Sequence, residues 1–394
     1  MVQNAVGRPV EGDDFFDRAR ETAELWSRLE SDHVLLLAPR RVGKTSLMFH
    51  LRDRAGAEGF RALYVSVADA ASEGAFVRKL FGELERHGAR KKVLAALRKS
   101  SAGNLLRRVR RVSVFSVEVE LADAADANWA AVGESIAAAL QSTGDSWLLL
   151  IDEVPIFVLN LLRADPSGLR ARTFLNWFRN LRQGGASRRV RWFVAGSIGL
   201  DTVTRRLNLG DTINDFYLYT GFGAFDRGTA EQFLRELDLS YGLFLGEDVI
   251  AALCDRAGWL VPFHLQLMFA ELRELCDGRR PVVADVGTVY ERLLSPAKRG
   301  YFDYWEQRLH EELGAPDDDY AIRLLGVIAA DDAGVTMQTL QSALSKRIRA
   351  AHERDARLRY LLDVLCSDGY IVAHEGRHRF QSALLREFWR RHAR

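Results

Sequence analysis

The sequence predicts an α/β fold: a parallel sheet covered on both faces by helices, then helical segments and a terminal hairpin. Three observations carry this. Four apolar runs, HVLLLA (33–38), ALYVSV (62–67), WLLLID (147–152) and RWFVAG (191–196), alternate with helix-like segments, as buried strands of a parallel sheet do. From about residue 223 the strand-like runs stop, and TAEQFLREL, EDVIAALCDRA and PFHLQLMFAELRELC read as successive helices. Beyond Pro296, further helices lead to YIVAHEGRHRF, two short extended segments around a Glu-Gly turn, and a final helix, which is the order of a winged helix. The expected parts are a sheet-bearing core over 1–222, a helical domain over 223–297 and a winged-helix domain over 298–394.

Taken in order, residues 15–30 place Leu25, Trp26 and Leu29 at helical spacing, with acids early and bases late, so a short amphipathic helix leads into the first strand. At 394 residues and 48% apolar content, the chain can bury two or three cores. Its most apolar stretch, Trp147 to Leu162, is interrupted by Asp152, Glu153 and Pro155, so no membrane span is expected. The start, MVQNAVGRPVEGDDFF, lacks a basic segment followed by an apolar run, so cytoplasmic residence is expected. Cys254, Cys276 and Cys366 have neither disulfide nor metal-ligand spacing and read as buried, reduced thiols. With 55 basic and 53 acidic residues, the overall charge says little about partners.

The first strand runs into APRRVGKT (38–45), and the helix SLMFHLRDRA follows. A tight turn between strand and helix points backbone N–H groups inward, and the helix N-terminus adds positive potential, so phosphate oxygens fit the cup. The cup is expected from Pro39, Arg40, Arg41, Val42, Gly43, Lys44, Thr45 and Ser46. Gly43 permits close approach, Lys44 reaches the β- and γ-phosphates, and the Thr45 hydroxyl ligates Mg²⁺. Lysine is rare in this chain, with seven in all, which gives position 44 added weight. WLLLIDE then puts two carboxylates at the carboxyl end of a strand, where ligands of α/β sheets collect. Asp152 is expected in the magnesium shell, and Glu153 is expected to orient or deprotonate the attacking water.

GKT, IDE and the strand end AGSIGL together resemble the P-loop ATPases with an additional catalytic glutamate. Within these the chain is similar to AAA+ and STAND-type ATPases, especially the bacterial and archaeal group with PRRVGKTSL loops and a C-terminal winged helix. The resemblance spans nearly the whole chain. It implies a parallel-sheet P-loop ATPase core, a helical lid and a winged helix, with ATP and Mg²⁺ as cofactors. FFDRARETAEL resembles the family's entry segment, with Asp17 in place of its glycine and Ala19 in place of its glutamate. Ser197 falls at the first sensor position, and GWLVPFHLQL resembles the glycine-proline box, which places Pro262 near the base. An arginine finger is expected after the first sensor. Arg205 and Arg206 are the nearest pair, solvated helix arginines being the alternative, and Arg179 and Arg182 remain open.

The function implied is an ATP-hydrolysing switch that couples nucleotide state to a partner, with nucleotide-dependent oligomers within its scope. The rival is an ATP-gated DNA-binding protein of the origin-recognition or transposition-helper kind. A DNA or protein partner has two candidate surfaces: the winged helix, with Arg354, Arg357 and Arg359, and the acid-free basic stretch 86–117. HEGRH (374–378) matches H-E-x-x-H, but that motif needs a helix to set both histidines on one face, and this segment reads as strand, turn and strand.

Overall fold

The structure is a computed structural model that describes residues 2–86, 114–184, 189–196, 204 and 209–392; side chains at 85, 114–127 and 312 are outside it. The elements run α1 (Ala19–Leu29), β1 (His33–Leu37), α2 (Lys44–Arg54), β2 (Phe60–Ser66), α3 (Glu73–Arg86), α4 (Val114–Ser142), β3 (Ser146–Asp152), α5 (Val154–Ala164), α6 (Leu169–Gln183), β4 (Val190–Gly196) and β5 (Phe216–Tyr219). There follow α7 (Arg227–Tyr241), α8 (Glu247–Ala257), α9 (Pro262–Leu275), α10 (Val283–Leu293), α11 (Gly300–Leu313), α12 (Asp317–Ala329), β6 (Val335–Thr336), α13 (Met337–Leu344), α14 (Ala351–Ser367), β7 (Ile371–His374), β8 (Arg377–Phe380) and α15 (Ala383–His392).

Two compact units emerge: Arg18–Leu37 with Thr45–Gly221, and Met1–Asp17 with Ala38–Lys44 and Phe222–Arg394. The first holds a parallel sheet in the order β2-β3-β4-β1-β5. All four strands expected from apolar runs are present. One face is covered by α3 to α6, whose Phe76, Phe157, Phe174 and Phe178 pack on Trp147, Leu149, Ile151 and Trp192. Phe76 and Phe157 each meet Phe174 edge-to-face, with ring centroids 5.0 and 4.8 Å apart, and meet each other at 5.2 Å with a 32° tilt. The fifth strand is not among those expected: its apolar run FYLY is only four residues long, lies at the sheet edge, and leaves Leu218 exposed. At the other end of β1, His33 and buried Arg182 belong to one polar network. Arg182 clasps Asp215 with two bonds of 2.8 and 2.9 Å.

The second unit carries α7 to α10 and then a winged helix. In the latter a three-stranded sheet, β6-β8-β7, accompanies α12 to α15. Asp226 and Thr336 cap α7 and α13 by accepting backbone N–H bonds, as short oxygen side chains do at helix starts. The β7–β8 turn is Glu375-Gly376, both at positive φ (50° and 74°), the pattern of a tight two-residue hairpin. HEGRH is therefore a hairpin, with Ala373 opposite His378 and His374 opposite Arg377. No cluster of metal-ligating side chains occurs among the described residues. None of their helices is long and apolar enough to cross a membrane. Cys254 and Cys276 are buried, Cys366 is half-buried, and all three are free thiols.

Candidate nucleotide site

The sheet register brings the strand ends together. Leu37 pairs with Gly196, Ala195 with Asp152, and Asp152 with Ser66, so β1, β4, β3 and β2 finish along one edge. From β1 the chain leaves for the far edge strand β2, and it returns later to place β4 and β5 on either side of β1. Such a reversal of strand order opens a crevice at the carboxyl ends of the strands.

On that edge the Thr45 hydroxyl donates to Asp152 Oδ2 at 2.9 Å, and Asp152 is 3% exposed. A second donor reaches the same oxygen: the Tyr64 hydroxyl, at 3.0 Å. Burial first, and then the Asp152 carboxylate, push the Tyr64 phenol far above its ordinary value, so it stays a donor throughout the working range. Phe49 holds the Tyr64 ring edge-on at 4.7 Å. Sequence reading missed Tyr64, and only the β2–β3 register shows that it faces the carboxylate.

Glu153 follows at φ 62°, a left-handed conformation unusual for a side chain with Cβ. It stands directly before α5, whose first turn contains Pro155, and its N–H donates to Ala195 O at 2.9 Å. The adjoining strand end has to be glycine. A Cβ on Gly196 would lie 2.4 Å from Pro155 Cγ and Cδ.

The loop 38–44 lies in the second unit. Gly43 takes φ 99°, which needs glycine, and the Lys44 ammonium donates to Ala38 O (2.8 Å) and Pro39 O (2.7 Å). Val42 and Ser46 are buried. The side chains of Arg40 and Arg41 turn to aromatic rings of the same unit. Arg40 bonds the Tyr304 hydroxyl, and the Arg41 guanidinium sits 4.2 Å from the Phe263 ring centroid. Pro262 opens α9, and Gly258, at φ 67°, closes α8. Asp17, at φ 56°, occupies a conformation that glycine would adopt freely.

Arg179 pairs with Asp211 at 2.7 Å, and Arg182 is the buried partner of Asp215. Arg182, 1% exposed, is thus a structural cation. Ser197, Arg205 and Arg206 lie outside the described residues, as does most of the basic stretch 86–117. In the winged helix, Arg357 bonds the Asp317 carboxylate at 2.6 Å and Arg354 donates to Ile348 O at 3.2 Å.

No family model and no curated protein matches the sequence. Solved structures do. The Walker-type ATPase of Pyrococcus abyssi is 19% identical, covers 98% of this chain and 100% of its own, and superposes with a TM-score of 0.65. The ORC2 protein of Aeropyrum pernix is 11% identical over 99% of this chain and 98% of its own, with a TM-score of 0.49. Cdc6p of Pyrobaculum aerophilum is 12% identical over 97% and 98%, with a TM-score of 0.47. Strand order, the loop between β1 and α2, and the full-length likeness to the Pyrococcus structure give this chain the fold of a P-loop ATPase with a C-terminal winged helix.

Proposed function

We propose that the chain is a Mg²⁺-dependent ATP-binding and ATP-hydrolysing switch of the AAA+/STAND type that couples its nucleotide state to a partner. The observation that carries the reading is the Thr45–Asp152 pair at 2.9 Å with Glu153 next in the chain. A hydroxyl and a carboxylate are the hard oxygen donors that Mg²⁺ prefers, and an ion there would neutralise charge on the phosphates. The loop's backbone N–H groups and Lys44 would bind the triphosphate. Glu153 would orient the attacking water and accept its proton. Ser197, with Arg205 or Arg206, would answer to the γ-phosphate, and Pro262 would border the base. In this proposal the working parts are 1–222, 223–297 and 298–394.

Calorimetry with ATP and Mg²⁺ tests the site. The wild type should bind and Lys44→Ala should not, since it loses the mobile charge at the β- and γ-phosphates. Equal affinity in the two proteins would sink the assignment. The DNA-gated alternative has less to draw on. On α14, Arg354 and Arg357 are engaged within the fold and Arg359 is exposed, so two of the three arginines that a major-groove reader would use are turned to other partners.

A further inference from the structure

The two arginines of the loop hold an unusual position. Arg41 takes φ 65°, a left-handed conformation without a glycine's freedom, and such a residue persists only where its surroundings over-determine it. Its side chain supplies the surroundings. The guanidinium lies 4.2 Å from the Phe263 ring and 5.2 Å from the Tyr304 ring, and burial pulls its pKa below the ordinary arginine value. Gly7 closes the other side, where a Cβ would stand 3.1 Å from the Arg41 guanidinium and 3.7 Å from Phe263.

Arg40, 7% exposed, bonds the Tyr304 hydroxyl and lies 5.5 Å from its ring. Tyr304 sits on α11, next in the chain to Trp305, whose carbonyl accepts from the buried Tyr370 hydroxyl at 2.7 Å. Pro39 completes the seat. A Cβ on Gly369, which has φ 80°, would meet Pro39 at 2.8 Å and Trp259 at 2.7 Å. Residues 39 to 41 are thus each seated on side chains or backbone far along the sequence, in α9, α11 and the turn after α14.

We propose that Tyr304 is a positioning residue for the phosphate-binding loop: by docking Arg40 and Arg41 it holds the loop backbone in its binding-competent conformation. The inference deepens the ATP reading and rests on it. In a docked loop the inward N–H groups are already ordered. An undocked loop has to be ordered by the nucleotide itself, which lowers affinity. Linkage makes the effect reciprocal, so nucleotide in the loop strengthens the seat of Arg40 and Arg41 on α9 and α11.

The test compares wild type, Tyr304→Phe and Tyr304→Ala by calorimetry with ATP and Mg²⁺. Phe keeps the ring and loses the acceptor for Arg40, whereas Ala loses both. One hydrogen bond to a charged group and a partly buried cation–π contact predict about a tenfold weaker Kd for Ala, with Phe between Ala and wild type. The nearly isosteric Phe variant keeps the question open to refutation if Ala folds poorly. A merely structural tyrosine would change the melting temperature alone. Positioning also shrinks the rise in melting temperature that saturating ATP produces. Wild-type affinity in both variants, or tighter binding in either, overturns the inference. If the wild type binds no ATP, the nucleotide reading itself fails, and this inference falls with it.

Discussion

Glu153 combines a proposed chemical role with a backbone cost. Its left-handed φ of 62° is enforced by the immediate start of α5 and the bond from its N–H to Ala195 O, and such conformations cost on the order of 1 kcal/mol. Glu153→Gly is therefore expected to raise stability by up to about 1 kcal/mol while lowering turnover by about 10²- to 10⁴-fold. Urea denaturation and a phosphate-release assay read the two effects, and a lower urea midpoint would count against backbone strain. Glu153→Gln should leave ATP affinity intact and lose the same turnover. Tyr64 belongs to the same scale. Tyr64→Phe removes a donor to Asp152 Oδ2, and the Mg²⁺ concentration for half-maximal turnover should rise about tenfold, as losses of supporting hydrogen bonds do. An unchanged Mg²⁺ requirement would leave Tyr64 a packing residue. The positions of Lys44 and Thr45 at the start of α2, and of Asp152 and Glu153 at the end of β3, were legible in the sequence because the loop and the strand end are contiguous motifs. Tyr64 was not, since only pairing between β2 and β3 brings it to the carboxylate. The same holds for Arg40 and Arg41, whose side-chain seats lie more than 200 residues along the chain.

At the level of elements, legibility followed burial. Strands covered on both faces, such as β3 with six of its seven residues buried, announced themselves as unbroken apolar runs. The edge strand β5 buries only its two end residues and leaves the middle two outside the core, over a length too short for a period to register. The hairpin was readable because Glu-Gly supplies the positive φ its turn needs, and that reading also disposed of the H-E-x-x-H match. Between β4 and α5 the sequence gives no hint of contact, yet Gly196 and Pro155 are fitted together. Gly196→Ala should destabilise the sheet unit by about 1–3 kcal/mol, because a rigid proline ring cannot yield to the added methyl. The urea midpoint reports it, and a neutral result would mean that the α5 start shifts without cost.

Across the whole molecule, buried histidines tie stability to pH. His33 Nδ1 accepts the Trp192 N–H at 3.2 Å while Nε2 lies 3.1 Å from Arg182 O, a pairing that only the neutral ring with its proton on Nε2 can make. Burial pulls its pKa down to about 4, with the Arg182 and Arg191 charges adding to the effect. His264, fully buried beside the Trp259 carbonyl in the other unit, is also pulled down to about 4 by burial. His50 and His378 move in the same direction, again through burial. Between pH 4 and 6.5 the unfolded chain therefore binds more protons than the folded one, and stability rises with pH. The contribution is fully present above pH 6.5 and is lost as the pH falls through 4. It is on the order of 3 kcal/mol each for His33 and His264. Carboxylates held down by arginines, such as Asp285 by Arg279, lose their contribution only below about pH 4, so the window belongs to the histidines. Each unit contains one of the strongly shifted pair, so the urea midpoints of both should fall between pH 6.5 and 4.5. His264→Gln should flatten that slope by up to about one proton's worth. A native chain whose stability is constant across this window would mean that these rings take up protons without leaving their buried sites.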